Sequence, residues 1–171
     1  KLSAEEKEKL KDIVHHLTTA ANFYKIDGRA ESAGRLYRRC YLLCQDYLAD
    51  DEEMLAQCAY DVADNAMWTE TFDESSFYFD RSFRLKDKLR PLDIATNDVG
   101  DTLGRSYIAK WDTVKAREHY KKTIAGLVKI QDKTAAPDIS LQEAVVILEK
   151  LFQNSGPERR RQIIAAMQGL A

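Results

Sequence analysis

Proline is the first thing this chain has little of. Three prolines in 171 residues, at Pro91, Pro137 and Pro157, leave long stretches free of the residue that removes a backbone donor and breaks helices. Glycine is scarce too, at seven, and never clusters into a phosphate-cradling loop. Cysteine is limited to three, an odd number that argues against a disulfide framework and for a reducing compartment. No apolar run approaches the roughly eighteen residues that a membrane-spanning helix needs, so integral membrane association is not expected. There is no excess of one charge either. Twenty-six basic and twenty-eight acidic side chains leave a net charge of -2, which excludes a global field for nucleic acid or anionic lipid. The chain starts at Lys1-Leu2-Ser3-Ala4 without methionine or an apolar leader, and it reads as a cut-out or processed product.

What is present is helical patterning almost throughout. Ser3 with Glu6 three residues later forms a capping box, predicting a helix that runs to about residue 25. Asp27-Gly28 breaks it, and a second helix follows near Arg29. The acidic run Asp50 to Glu53 suits a helix first turn, where carboxylates meet the positive end of the helix dipole. The next helix presents Ala59, Val62, Ala63 and Ala66 inward, and after a turn at Thr71 to Asp73 come Ser75 and Phe79. Because alanine fills the large positions of that helix, Trp68 and Phe72 are expected to supply the missing volume. Asp93 is placed to cap a further helix, and Asp112 another after the turn Lys110-Trp111-Asp112. Ser140 with Glu143 makes a second capping box, and Pro157 stands at a favoured first-turn position.

One pattern organises these helices. Leu103-Gly104 with Tyr107, followed by Ala116 and Tyr120, has the spacing of two helices packed closely back to back, with small residues allowing approach and aromatics filling the space between. Leu17, Ala20, Ala21 and Tyr24, then Ala33 and Tyr37, repeat it. The aromatic or its substitute falls at Tyr24, Ala66, Tyr107 and Leu148, in steps of 42, 41 and 41. This resembles the tetratricopeptide repeat, which has Leu-Gly and an aromatic on its first helix and alanine before an aromatic on its second. The likeness covers roughly residues 14 to 150 and is most specific in the first and third copies, the second matching more by spacing. The period exceeds the standard 34 residues, as in tetratricopeptide relatives such as kinesin light chains and bacterial regulatory ATPases.

The resemblance implies an all-α fold, an α-solenoid of antiparallel helical hairpins with about seven or eight helices in one domain spanning 1–171. Its repeats would cover roughly 14–55, 56–96 and 97–137, followed by a terminal helical pair at 138–171. It also implies a concave face lined by the first helix of each hairpin. Taking Leu17, Ala20, Ala21 and Tyr24 as core, the register turns His15, Thr18 and Asn22 toward that face. The second copy contributes Tyr60, Asp61, Asp64 and Trp68, and the third Asp98, Asp101 and Arg105. Four aspartates beside aromatic positions predict an acidic groove for a basic or amphipathic peptide or protein. The family's carboxylate clamp for chaperone tails is not matched. Asn22 fits one clamp position, but Thr18, Asp61, Asp98 and Thr102 stand at the others.

Catalytic and metal chemistry has no matching constellation. Cys40, Cys44 and Cys58 are expected as core thiols, and His15-His16 and His119 complete neither a zinc nor a triad pattern. No cofactor is implied and the chain is not expected to be an enzyme. Arg159-Arg160-Arg161 ahead of Ile163, Ile164 and Met167 suits a solvated terminal face or packing against a further repeat or domain. The reading is a cytoplasmic, non-catalytic scaffold that binds a protein or peptide in its groove. The alternative is a regulatory or sensor tetratricopeptide domain cut from a larger multidomain enzyme or ATPase.

Overall fold

The structure is a computed structural model that describes residues 2–90, 94–112, 114–116 and 118–120. The chain divides into two compact units, Lys1–Pro91 and Leu92–Ala171. Every regular element among the described residues is an α-helix. The Asp93 cap, the end of the third repeat, the terminal pair at 138–171 and the arginine cluster lie outside the described residues, and with them the remainder of the expected helix count.

The first unit holds α1 (Ala4–Ile26), α2 (Ala30–Tyr47), α3 (Glu52–Trp68) and α4 (Phe72–Leu89), each packed on the next in chain order. Turns of three or four residues join them, too short for anything but antiparallel neighbours. The sequence signals for the helix starts are realised in detail. Ser3 Oγ accepts from Glu6 N at 3.2 Å while Glu6 Oε2 accepts from Ser3 N at 2.7 Å, completing the capping box. Asp51 Oδ1 accepts from Met54 N at 3.1 Å, so the acidic run is a helix cap as expected.

The second unit holds α5 (Ile94–Ala109) and a further helical segment within 114–120, capped by Asp112, whose Oδ1 accepts from Lys115 N at 3.2 Å. Leu103, Gly104, Ser106, Ala116 and Tyr120 are all buried here. Gly104 is in close contact with an aromatic ring: a Cβ added to it would stand 2.6 Å from Tyr120 Cζ. At the corresponding positions of the first unit, Ala33 and Ser75 are fully buried, as are the aromatics Tyr37 and Phe79 that follow each by four.

The turns repeat more faithfully than the side chains do. Gly28, Glu70 and Trp111, spaced 42 and 41 apart, adopt φ of 75°, 57° and 62°. In each turn the following N–H reaches back five residues, Arg29 to Tyr24 O at 2.8 Å, Thr71 to Ala66 O at 2.9 Å and Asp112 to Tyr107 O at 2.9 Å. The left-handed residue itself donates three back, to Lys25, Met67 and Ile108. This pair of bonds is the Schellman ending, which satisfies carbonyls orphaned at a helix C-terminus. Three turns built bond for bond alike make three helical hairpins with one geometry of connection.

Two packing expectations resolve differently. The alanines of α3 are buried as expected, with Ala59 and Ala63 at 0%. Trp68, however, does not fill the space beside them and is 71% exposed. Phe72, at the start of α4, is half-buried, and Phe79 further along α4 is fully buried, with Tyr60 of α3 edge-on to it at a centroid distance of 5.5 Å. All three cysteines are free and buried, Cys44 and Cys58 with their sulfurs 3.5 Å apart across α2 and α3. Among the described residues no group of three or more His, Cys, Asp or Glu is placed to hold a metal ion, and no helix is long and apolar enough to cross a membrane.

Candidate functional site

The C-terminal halves of α1 and α3 are linked by an ion pair between Lys25 Nζ and Asp64 Oδ2. The contact makes a shared polar face of two helices that are not consecutive in the chain. Helix α2 supplies its floor. Tyr37, buried on α2, donates its hydroxyl to Asn22 Oδ1 at 2.5 Å. Burial pushes that phenol up to about 12, and the carboxylates of Asp61 and Asp64 push in the same direction.

Gln57, Asp61, Asp64 and Trp68 fall four, three and four residues apart on α3, so they form one stripe along it. Gln57 Nε2 donates to Asp61 Oδ1 at 2.9 Å. Asp61 is otherwise short of compensation. Burial raises its carboxyl to about 6, Gln57 opposes that shift, and Asp64 adds to it, while Lys25 and Lys86 pull it down from further away. No ion pair reaches Asp61 among the described residues. At the end of the stripe the Lys25 ammonium lies 5.4 Å from the centroid of the exposed Trp68 ring. That is within the range of a cation–π contact.

The sequence-predicted residues therefore fall into groups. Asn22, Asp61, Asp64 and Trp68 share this face. Thr18 turns beneath it, half-buried, with its hydroxyl 3.5 Å from Cys40 Sγ. His15 is exposed further toward the start of α1, edge-to-face with His16 at 5.9 Å. Tyr60 leans the other way, against Phe79, and Lys86 Nζ stands 5.6 Å over its ring. Asp98, Asp101 and Arg105 lie on α5 in the second unit. The side chains of Asp98 and Asp101 fall outside the described residues, and Arg105 Nη2 donates to Thr102 Oγ1 at 3.1 Å.

The expected acidity is reduced on this face, because Asp64 arrives already neutralised by Lys25. Lys25, Tyr37 and Gln57 were not among the predicted groove residues. The periodic pattern assigned Tyr37 to the core and gave no reason to look at its hydroxyl. Lys25 follows Asn22 by three and could have been found from that spacing. A separate cleft of about 530 Å³ opens between the start of α1, the α2–α3 turn and the end of α4. Its lysines are already paired, Lys7 with Asp50 at 2.6 Å and Lys11 with Asp51 at 3.0 Å, so it offers little to a charged ligand.

No family model matches the chain. Phospholipase D1 of Mus musculus is 27% identical over 135 residues, and that of Homo sapiens 26%. These matches take in 72% of this chain but only 12% of the relative's length, so the chain corresponds to a small part of those proteins. Among solved structures, the crystal structure of BtubC (BKLC) from P. vanneervenii superposes with a TM-score of 0.66 at 16% identity, over 94% of this chain and 66% of that one. The likeness is one of fold.

Proposed function

We propose that this chain is a tetratricopeptide-like α-solenoid that acts as a non-catalytic scaffold, binding a basic or amphipathic segment of another protein on the α1–α3 face. The observation that carries the reading is Asp61, a half-buried carboxyl that no ion pair reaches among the described residues, three residues from Asp64 and on one stripe with an exposed indole. A carboxylate partly withdrawn from water and left without a cation gains from one that arrives with the ligand. The neighbouring aromatic supplies apolar area and a platform for a guanidinium. The repeated Schellman turns and the 42- and 41-residue spacing support the repeat assignment. On this reading the protein works in the cytoplasm without a cofactor.

Titration of basic and acidic peptide libraries tests it. Basic peptides should bind at low salt and weaken as salt rises, and Asp61→Asn should reduce their affinity. Preference for acidic peptides, or unchanged basic-peptide affinity in Asp61→Asn, would overturn it. A second reading is a regulatory or sensor domain within a larger enzyme or ATPase. The short matched stretch inside phospholipase D1 favours it. It predicts that adding this chain in trans to its parent protein changes that protein's activity.

A further inference from the structure

The α1–α3 face already contains one cation, and its position shows what chemistry the face accepts. Lys25 reaches from the last turn of α1 to Asp64 on α3 and lies over the Trp68 ring, so its ammonium sits between a carboxylate and an indole. A partner's lysine or arginine would seek the same surroundings. Asp61, one stripe position away, has no such occupant. The face thus holds two carboxylates and one ammonium, one cation fewer than it can pair.

Resting on the scaffold reading above, we propose that Lys25 holds in cis the place of a partner's second basic residue. The partner's first basic side chain pairs with Asp61, and its second displaces Lys25 from Asp64 and Trp68. Three features favour exchange over a fixed structural bridge. The Lys25 and Asp64 side chains keep 22% and 35% of their exposure, so the pair is held weakly and water can replace either partner. Lys25 has a flexible four-carbon stem that can swing into solvent beside the turn without moving the helix. The Trp68 indole is 71% exposed and free to receive a larger cation such as guanidinium. The other groups facing this spot do not compete for the exchange. Tyr37 is committed to Asn22, Gln57 to Asp61, and Lys86 stands over Tyr60. Since Asp61 and Asp64 are three apart on a helix, their Cβ atoms are about 5–6 Å apart. The matching partner carries two basic side chains at similar separation, as at positions four apart on a helix.

The probes are two labelled helical peptides of about fifteen residues, one with two arginines four apart and one with the second arginine replaced by glutamine. Fluorescence anisotropy at about 50 mM salt measures their affinity for the full chain, where screening is modest. Lys25→Met should bind the two-arginine peptide about tenfold tighter than the wild type and leave the one-arginine peptide within about twofold. The gain should disappear when Asp64→Asn is added, and Lys9→Met, which removes an ammonium paired with Glu5 elsewhere on α1, should produce none. Lys25→Gln repeats the measurement with a polar replacement, and circular dichroism of each variant establishes that it is folded. Equal gains for both peptides, no gain at all, or a gain that survives Asp64→Asn overturns the inference while leaving the scaffold reading in place. If no variant binds either peptide, the scaffold reading fails, and this inference fails with it.

Discussion

Exchanging the residues at the left-handed turn positions tests whether the three hairpins are copies of one design. Gly28 and Glu70 occupy the same place in successive turns, at φ 75° and 57°. For a residue with a side chain the left-handed region costs about 1–2 kcal/mol. Glycine escapes that, but loses about 0.5–1 kcal/mol more backbone freedom on folding. Glu70 is exposed and among the described residues its side chain makes no hydrogen bond or ion pair, so no such contact there is lost on replacing it. Glu70→Gly should therefore stabilise the fold by about 0.5–1 kcal/mol. Gly28→Ala should destabilise it by a similar amount, since an added Cβ meets nothing within 4 Å and the effect is conformational alone. Urea unfolding followed by circular dichroism measures both, with the midpoints moving in opposite directions at unchanged slope. A lower midpoint for Glu70→Gly, or a higher one for Gly28→Ala, refutes the equivalence of the turns.

Gly104→Ala places a methyl group against three Tyr120 ring atoms at 2.6–3.0 Å. Overpacking of about 2–3 kcal/mol, offset by about 1 kcal/mol of helix propensity, should leave α5 about 1–2 kcal/mol less stable, read by hydrogen exchange of its amides. Asp61 affects the pH dependence of stability. Its folded carboxyl holds a proton up to about 6 against 3.8 ordinarily, so the fold binds protons more tightly than the unfolded chain, and stability falls as pH rises from 3.8 to about 6. Asp61→Asn should abolish that fall and raise stability at pH 7.5 by at most about 3 kcal/mol, measured by urea unfolding at several pH values. Ser3→Ala breaks the capping box and should cost about 1 kcal/mol, seen as faster amide exchange in the first turn of α1.

Helix starts were the most legible part of the sequence. Ser3, Asp51 and Asp112 each cap where a short polar side chain precedes a periodic apolar run, because the interaction is local and needs only the next three residues. The small-residue stripe was legible for a related reason: helix period fixes which alanines and glycines face inward. Trp68 was misplaced as a core filler because volume in a core is shared among helices, and the residue's size alone does not show that its ring stays 71% exposed while Phe79 of α4 is fully buried. Glu70 and Trp111 in left-handed turns could not be read from residue type, since both types avoid that conformation. Only the spacing from Gly28 hinted at them. The candidate face was half legible. Asn22, Asp61, Asp64 and Trp68 were found from register, but Lys25 pairing across to α3 depends on how two helices far apart in sequence lie side by side.

The hydrogen-bonded turns also bear on how such a chain can change over evolutionary time. In most folds, loops absorb insertions and carry new specificity. Here three turns are fixed bond by bond, and one residue added to any of them would rotate the following helix by about 100° and bury the wrong side of it. Variation in length is closed off at these joints. Innovation is directed instead into point substitutions on the outward faces of the helices, where Asn22, Asp64 and Arg105 already differ at one repeated position while the turn that follows each keeps the same hydrogen bonds.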